Sequence, residues 1–333
     1  MSIIQFQHNY HHIISLENLL EAWKEFVKGK RGRKDVQEFE RNLMTNIISL
    51  HTDLNTMTYE HLVYEFFKIY DPKERDIHKA SVRDRLLHHA LYKKLYLFFD
   101  RTFISDSFSC RLDKGTHRAI NRFRSFAYKA SRNHIKSLYI LKCDIRKFFA
   151  SIDQTIIITI LSKYIKDNNI LILISKIIGS FHSTERGTGL PLGNLTSQLF
   201  VNIYMNKFDQ FMKHKIKTKY YIRYADDFVI LSHDKKWLES ILPRMTIFLE
   251  EKLKLTLHPN KVSVSTIASG VDFLGWVHFS DHRVLRTSTK KRMFRNIKIK
   301  NVKPETVQSY LGLISHGNSR KLKKQIEDNF IAV

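Results

Sequence analysis

The stretch "YIRYADDFVIL" (221–231) sets two carboxylates, Asp226 and Asp227, between two runs of good strand formers. Tyr-Ile-Arg-Tyr precedes the pair and Phe-Val-Ile-Leu follows it, so the segment reads as a hairpin with an acidic tip. Adjacent like charges on a tight turn repel one another. The tip is either an ordinary solvated turn or a device for holding a cation, and the dipeptide alone leaves both open.

The flanking sequence decides between them. "LYILKCDI" (138–145) alternates like a strand, and "SIDQTIIITILSKYI" predicts a helix capped by Ser151 or Asp153. The glycine-bearing loop "RGTGLPLGN" (186–194) leads into a helix, "LTSQLFVNIYMNKFDQFM". After the acidic pair come a helix, "KWLESILPRMTIFLEEKL", and a strand, "KVSVSTI". The order β-α-α-β-β-α-β predicts a ferredoxin-like unit with an extra helix inserted. In that topology the end of the first strand and the turn between the next two lie on neighbouring strands. Asp144 is therefore expected within a few ångströms of Asp226. Three hard oxygen ligands suit Mg²⁺, which prefers carboxylates plus substrate phosphates to an all-protein cage. Two such ions activate a 3′-hydroxyl and stabilise a leaving pyrophosphate.

Composition points the same way. Fifty-six Lys+Arg against 32 Asp+Glu give a net charge of +24, for which a polyanion is the economical partner, nucleic acid ahead of an anionic membrane surface. The 333 residues suggest two or three subdomains, and 43% apolar content suffices for a real core. No run reaches eighteen uncharged apolar residues, and "MSIIQFQHNYHH" does not read as a signal peptide. Cys110 and Cys143 make neither a disulfide framework nor a zinc quartet, so the expected compartment is the reducing cytoplasm. Upstream, residues 15–69 read as helical around a basic loop, "KGKRGRK" (28–34), which is either a solvated linker or a phosphate contact. Residues 80–99 predict another amphipathic helix, and "DSFSCRLDKGTHRAI" (106–120) an irregular stretch. "VDFLGWVHFS" and "RVLRT" predict a hairpin, and "RTSTKKRMFRNIKIKNVK" (286–303) a helix with eight Lys/Arg and no acid.

On these residues the chain resembles a reverse transcriptase from about residue 15 to residue 330. "RYADDFVIL" resembles the family's Tyr-x-Asp-Asp box, and "KCDIRKFFASID" its first aspartate motif. "GLPLGNLTSQLFVNIYMNKFD" resembles the motif that contacts the incoming nucleotide, "LKLTLHPNKVSV" the lysine motif and "FLGW" the primer-grip hairpin. "IYDPKERDIHKASVRDRLLHHAL" and "DSFSCRLDKGTHRAI" resemble the fingers. The resemblance implies an α+β right-hand polymerase with fingers, a ferredoxin-like palm and a short helical thumb. Its boundaries are a helical segment at 1–70, fingers at 71–137, palm at 138–284 and a basic thumb at 285–333.

It also implies roles. Asp144 and Asp226 bridge both Mg²⁺ ions, Asp227 is an outer ligand, and the Ile145 carbonyl is an additional one. Phe149 is the steric gate against a ribose 2′-hydroxyl, with a core phenylalanine as the plain alternative. Lys73 and Arg75 clamp the triphosphate, with Arg83, Arg85, Arg111 and Lys114 as further candidates, some of them expected to pair with Asp84 and Asp113. Lys261 protonates pyrophosphate, or is simple surface charge. Leu192, Gly193 and Gln198 stand at the incoming nucleotide, where most of the family has Gln-Gly-x-x-x-Ser-Pro. The variant "LGNLTSQ" resembles diversity-generating retroelement reverse transcriptases, which implies a cognate template RNA, cDNA, deoxynucleotides, errors at template adenines and a small basic accessory protein. A phage-defence reverse transcriptase is the alternative, and a catalytically dead RNA-binding scaffold is the reading from another class. A group II intron maturase was expected to carry a longer segment than the 57 residues after Trp276. The histidines of "HNYHH" and "LHHAL" read as packing or RNA contacts, and no nuclease, RNase H or zinc motif stands out.

Overall fold

Burial on both faces of Tyr139–Asp144 shows why this segment is a central strand: Ile140, Leu141, Cys143 and Asp144 are buried and Tyr139 and Lys142 are half-buried. The structure, a computed structural model, describes residues 4–71, 73–297 and 303–331. In chain order the elements are α1 (Tyr10–Ile14), α2 (Leu16–Phe26), α3 (Lys34–Arg41), α4 (Leu43–Asn55), β1 (Glu65–Ile69), β2 (Arg75–Lys79), α5 (Val82–Phe99), α6 (Thr116–Ala130), β3 (Tyr139–Asp144), α7 (Gln154–Ser162) and α8 (Asn168–Gly179). Then follow α9 (Leu195–His214), β4 (Tyr221–Tyr224), β5 (Asp227–Ser232), α10 (Lys235–Leu253), β6 (Ser263–Thr266), β7 (Val271–Phe273), β8 (Trp276–His278), β9 (Arg283–Leu285), α11 (Thr287–Ile297), α12 (Pro304–Ile314) and α13 (Arg320–Ile331). Among the described residues no helix is long and apolar enough to cross a membrane.

The chain divides into two units. The first holds Met1–Ser105, Ile145–Lys215 and Thr246–Leu257. Several of its helices start where the sequence supplies a side-chain cap. Asp153, not Ser151, caps α7, its carboxylate accepting from the Ile156 amide at 2.9 Å, whereas Ser151 donates to the Lys147 carbonyl. Ser81 caps α5 through the Asp84 amide, and the Asp84 carboxylate accepts from the Ser81 hydroxyl. Two expectations need correction here. Residues 65–69 are a strand rather than the end of a helix, because Arg75–Lys79 offers an antiparallel partner from Glu65↔Lys79 to Ile69↔Arg75. Cross-strand pairs add to it, Lys79 with Glu65 at 2.8 Å and Lys68 with Asp76 at 3.6 Å. The apolar run around "ILILI" forms a separate helix, α8, because Asp167 caps it by accepting from the Asn169 and Ile170 amides.

The second unit holds Asp106–Asp144, Ile216–Met245 and His258–Val333. Its four-stranded sheet runs β4-β5-β3-β6 and is antiparallel throughout, the strand order of the ferredoxin-like arrangement. A core of Phe108, Phe123, Phe126, Ile140, Val229 and Phe273 fills one side, each large side chain contributing about 1.5–3 kcal/mol by leaving water. The irregular stretch ends earlier than expected, since Thr116 already opens α6. The expected hairpin proves to be a three-stranded meander, β7-β8-β9. Leu274 and Gly275 make its first turn, both with positive φ, as a two-residue turn between twisted strands requires. Beyond it, Trp276, Leu285, Met293, Ile297, Val307, Ile314 and Ile326 form a second core among α11, α12 and α13. Residues 298–302, the continuation of the expected basic helix, lie outside the described residues.

Candidate active site

Sheet register builds the site in the second unit. Asp144, the last residue of β3, pairs directly with Asp227, the first of β5, and Asp227 pairs with Tyr224 at the end of β4. Directly opposed residues on antiparallel strands share a face, so Asp144 and Asp227 stand side by side. Asp226 lies one residue back, in the two-residue turn with Ala225. Ala225 has φ +55°, a left-handed conformation that costs a residue with a Cβ about 1–2 kcal/mol. The loop after residue 257 is tied to the same strand end: the His258 amide donates to the Asp144 carbonyl at 2.8 Å. That bond places Lys261, whose Nζ donates to Asp144 Oδ1 at 2.9 Å.

The electrostatics follow from this crowding. Burial pushes the Asp226 carboxyl up to about 6; Asp144 and Asp227 push it the same way, against its own amide and Lys261. Asp227 is also raised by burial, with Lys142 pulling against it and Asp144 adding to the rise. The Cys143 thiol between the strands is driven up to about 12 by burial and by Asp227. Among the described residues no three His, Cys, Asp or Glu side chains close into a protein-only metal cage. An ion that keeps water and substrate phosphates in its shell needs only one or two carboxylates. The donor set fits such an ion: all ligating atoms are hard oxygens, and their mutual repulsion is what a divalent cation relieves.

Of the remaining sequence-derived residues, Arg111, Asp113 and Lys114 lie in the second unit, where Arg111 donates to the Ser107 carbonyl and Lys114 lies over the Phe108 ring; the others lie in the first unit. Lys73 and Arg75 are exposed at the β1–β2 hairpin. Ile145 is buried and bridges Leu257. Phe148 is the core phenylalanine, 4% exposed, whereas Phe149 is half-buried and its carbonyl accepts from the Leu190 amide at 2.8 Å. Leu192 is half-buried, and its carbonyl accepts from the His78 amide at 3.3 Å. Asn194 returns a bond to the His78 carbonyl at 2.8 Å, so the loop is stitched to β2. Gly193 has φ +106°, a conformation that strains any other residue, and a Cβ there would also need Ile77, at 3.1 Å, to give way. Gln198 is half-buried in the first turn of α9. Two of the further cation candidates are structural: Arg83 pairs chiefly with Asp53, and Arg85 with Asp35. Asp84 takes a share of Arg83 at 3.7 Å, as expected, and also accepts from the Tyr59 hydroxyl and the Leu62 amide.

Sequence reasoning passed over Arg223. It is fully buried, and its guanidinium donates to the Ala225 carbonyl at 3.1 Å and to Ser107 Oγ at 3.0 Å. Its amide donates to the Asp106 carbonyl, and its own carbonyl accepts from the Phe108 amide. Arg223 thus braces the strained turn that carries Asp226. A charged residue centred in an otherwise buried strand was the available signal.

An α+β chain with an acidic strand pair at the heart of a ferredoxin-like sheet is the framework of a nucleic-acid polymerase. The chain belongs to the reverse transcriptase (RNA-dependent DNA polymerase) family, whose profile matches residues 71–278. Protein YkfC of Escherichia coli K12 is 23% identical over 264 residues, covering 67% of this chain and 67% of that protein. The group II intron-encoded protein LtrA of Lactococcus lactis subsp. cremoris is 23% identical over 289 residues, covering 66% of this chain and 46% of that protein. The chain therefore spans less than half of that relative's length. The structure of a Candida albicans telomerase superposes with a TM-score of 0.54 at 12% identity, covering 84% of this chain and 57% of that one. That likeness concerns the fold, and the right-hand polymerase class expected from the sequence stands.

Proposed function

We propose that the chain is an RNA-directed DNA polymerase that extends a primer on a cognate template RNA. The carrying observation is the meeting of Asp144, Asp226 and Asp227 at one end of the sheet, with Lys261 on Asp144. Two Mg²⁺ ions bound there supply a polarised 3′-hydroxyl and charge stabilisation of the leaving pyrophosphate. Asp144 and Asp226, with Asp227 and the Ile145 carbonyl, would hold the ions. Lys261 pairs with Asp144 and would give a proton to the leaving pyrophosphate. Lys73 and Arg75 clamp the triphosphate, Phe149 gates the sugar, and Leu192, Gly193 and Gln198 line the nascent pair. The segments 71–137, 138–284 and 285–333 act as fingers, palm and thumb after a helical segment at 1–70.

The finer reading is a diversity-generating retroelement enzyme, error-prone at template adenines and working in the cytoplasm with a small basic accessory protein. "LGNLTSQ", with an apolar Leu192 in place of glutamine, supports it. Primer extension on a defined RNA, with sequencing of the cDNA, tests both levels. Mg²⁺-dependent extension lost in Asp226→Ala, with errors concentrated opposite adenine, is the expected result. Extension by Asp226→Ala at the wild-type rate rejects the metal assignment. Sparse errors spread over all four template bases reject the retroelement subtype.

A further inference from the structure

Within the second unit, apart from the aspartates, lies a cavity of about 450 Å³ walled by α6, the β8–β9 turn and the α12–α13 turn. None of the residues assigned above to nucleotide addition lines it. The cavity is held open by a fixed frame. Gly317 lies so close to the Trp276 ring that a Cβ would collide with it, and the Asn318 amide donates to the Arg283 carbonyl at 2.8 Å.

Two guanidinium groups share this space. Arg283 is anchored: its Nε donates to the His316 carbonyl, Nη2 donates to Asn121 Oδ1 at 2.8 Å, and its plane lies over Trp276. Its Nη1 is buried with no hydrogen-bond partner among the described residues. A buried charged donor without an acceptor is costly to the fold. Arg124, exposed on α6, adds a second positive charge to the same wall. Burial and then Arg124 hold the Arg283 guanidinium below its ordinary range, so the two cations feel one another. The wall's carboxylate, Asp281, is exposed and bonded to His282 at 2.7 Å. An oxyanion in the cavity relieves the repulsion between the two guanidiniums, and phosphate oxygens match the free fork of the exposed Arg124. Beside the arginines, the Phe279 and His282 rings stack at 4.8 Å and 13°, a flat surface of the kind on which bases stack.

We propose that this cavity binds a phosphate of single-stranded RNA between Arg124 and Arg283, with a neighbouring base on the Phe279–His282 stack. Guanidiniums take a free phosphate by the same chemistry; the stacked rings and the +24 charge of the chain favour the strand. The site does not depend on the polymerase reading, since a chain unable to extend a primer would still bind here. The test uses the full chain and a short single-stranded RNA carrying 4-thiouridine, photocrosslinked and mapped by peptide mass. Inorganic phosphate is titrated in parallel while the thermal midpoint is followed. The expected result is crosslinking within 278–283 or 315–318. Arg124→Glu, at an exposed position, should cut that crosslink about tenfold, the worth of one charge-assisted contact, while crosslinks elsewhere persist. Arg283→Lys, which keeps the charge but not the fork, should weaken it less. Stabilisation by phosphate without these RNA crosslinks overturns the strand assignment in favour of a free phosphate. Crosslinks here that ignore Arg124→Glu, or no response to either probe, overturn the site.

Discussion

Replacing Asp226 by asparagine should separate folding from chemistry in an unusual direction. Asp226 titrates at about 6 in the folded chain against an ordinary 3.8, chiefly because it is buried, with Asp144 and Asp227 adding to the rise. At about 1.36 kcal/mol per pH unit, the ionised carboxylate costs the metal-free fold up to roughly 3 kcal/mol. The sign follows from the direction of the shift. Below the unfolded value both states carry the proton and the group is neutral to stability. Between about 4 and 6 the unfolded state has lost its proton and the folded state still holds it, so this group's penalty grows with pH and is full above about 6. Asp226→Asn removes the charge and keeps the shape. In chelator at about pH 8 it should raise the unfolding free energy, read from urea titration, by about 1–3 kcal/mol; near pH 4 the gain should vanish. Added Mg²⁺ should stabilise the wild type and leave the variant nearly unchanged, since ions bound only by the fold shift its stability by mass action. The variant should nevertheless lose on the order of a thousandfold or more in extension rate. A variant that is no more stable than wild type at pH 8 without metal refutes the crowding argument, whatever its activity.

Three further outcomes are expected. Phe149→Ala should admit ribonucleotides at little cost in stability, whereas Phe148→Ala should cost about 3–5 kcal/mol, because only Phe148 is in the core; equal destabilisation with unchanged sugar selection would mean Phe149 is core as well. Arg223→Gln should destabilise by roughly 2–3 kcal/mol and raise the Mg²⁺ concentration needed for half-maximal extension, with Arg223→Lys recovering part of both, since the brace on Ala225 is a charged donor; a stability loss with an unmoved Mg²⁺ requirement would make Arg223 purely structural. Leu192→Gln, which adds a donor and an acceptor, should change misincorporation about ten- to a hundredfold, the worth of one orienting contact of 1–3 kcal/mol; cDNA sequencing with an unaltered error spectrum would assign Leu192 to packing alone.

Much of the molecule was legible as one-dimensional pattern. Strand alternation in "LYILKCDI" and "YIRYADDFVIL", helical spacing in "LTSQLFVNIYMNKFDQFM" and the order of those segments were enough for the ferredoxin-like sheet, and so for Asp144 meeting the acidic pair. These features survive reading from sequence because period and connectivity are local properties of the chain. Others depended on partners far away in sequence. "EFFKI" is a strand only because "RDIHK" lies beside it, and its own apolar spacing fits a helix equally well. Which of two adjacent phenylalanines enters the core turned on the backbone at Lys147, whose φ of +46° opens the short turn at Phe148–Ser151. Arg223 read as one charge among fifty-six until burial placed it under Ala225. Lys261 stood between proton donor and surface charge until the bond from His258 to Asp144 set it on the carboxylate. Composition and period determine which faces are buried; which charges then share that burial, and so acquire shifted titration and chemical use, is set by tertiary packing, because Coulomb energy depends on distances between residues more than a hundred positions apart.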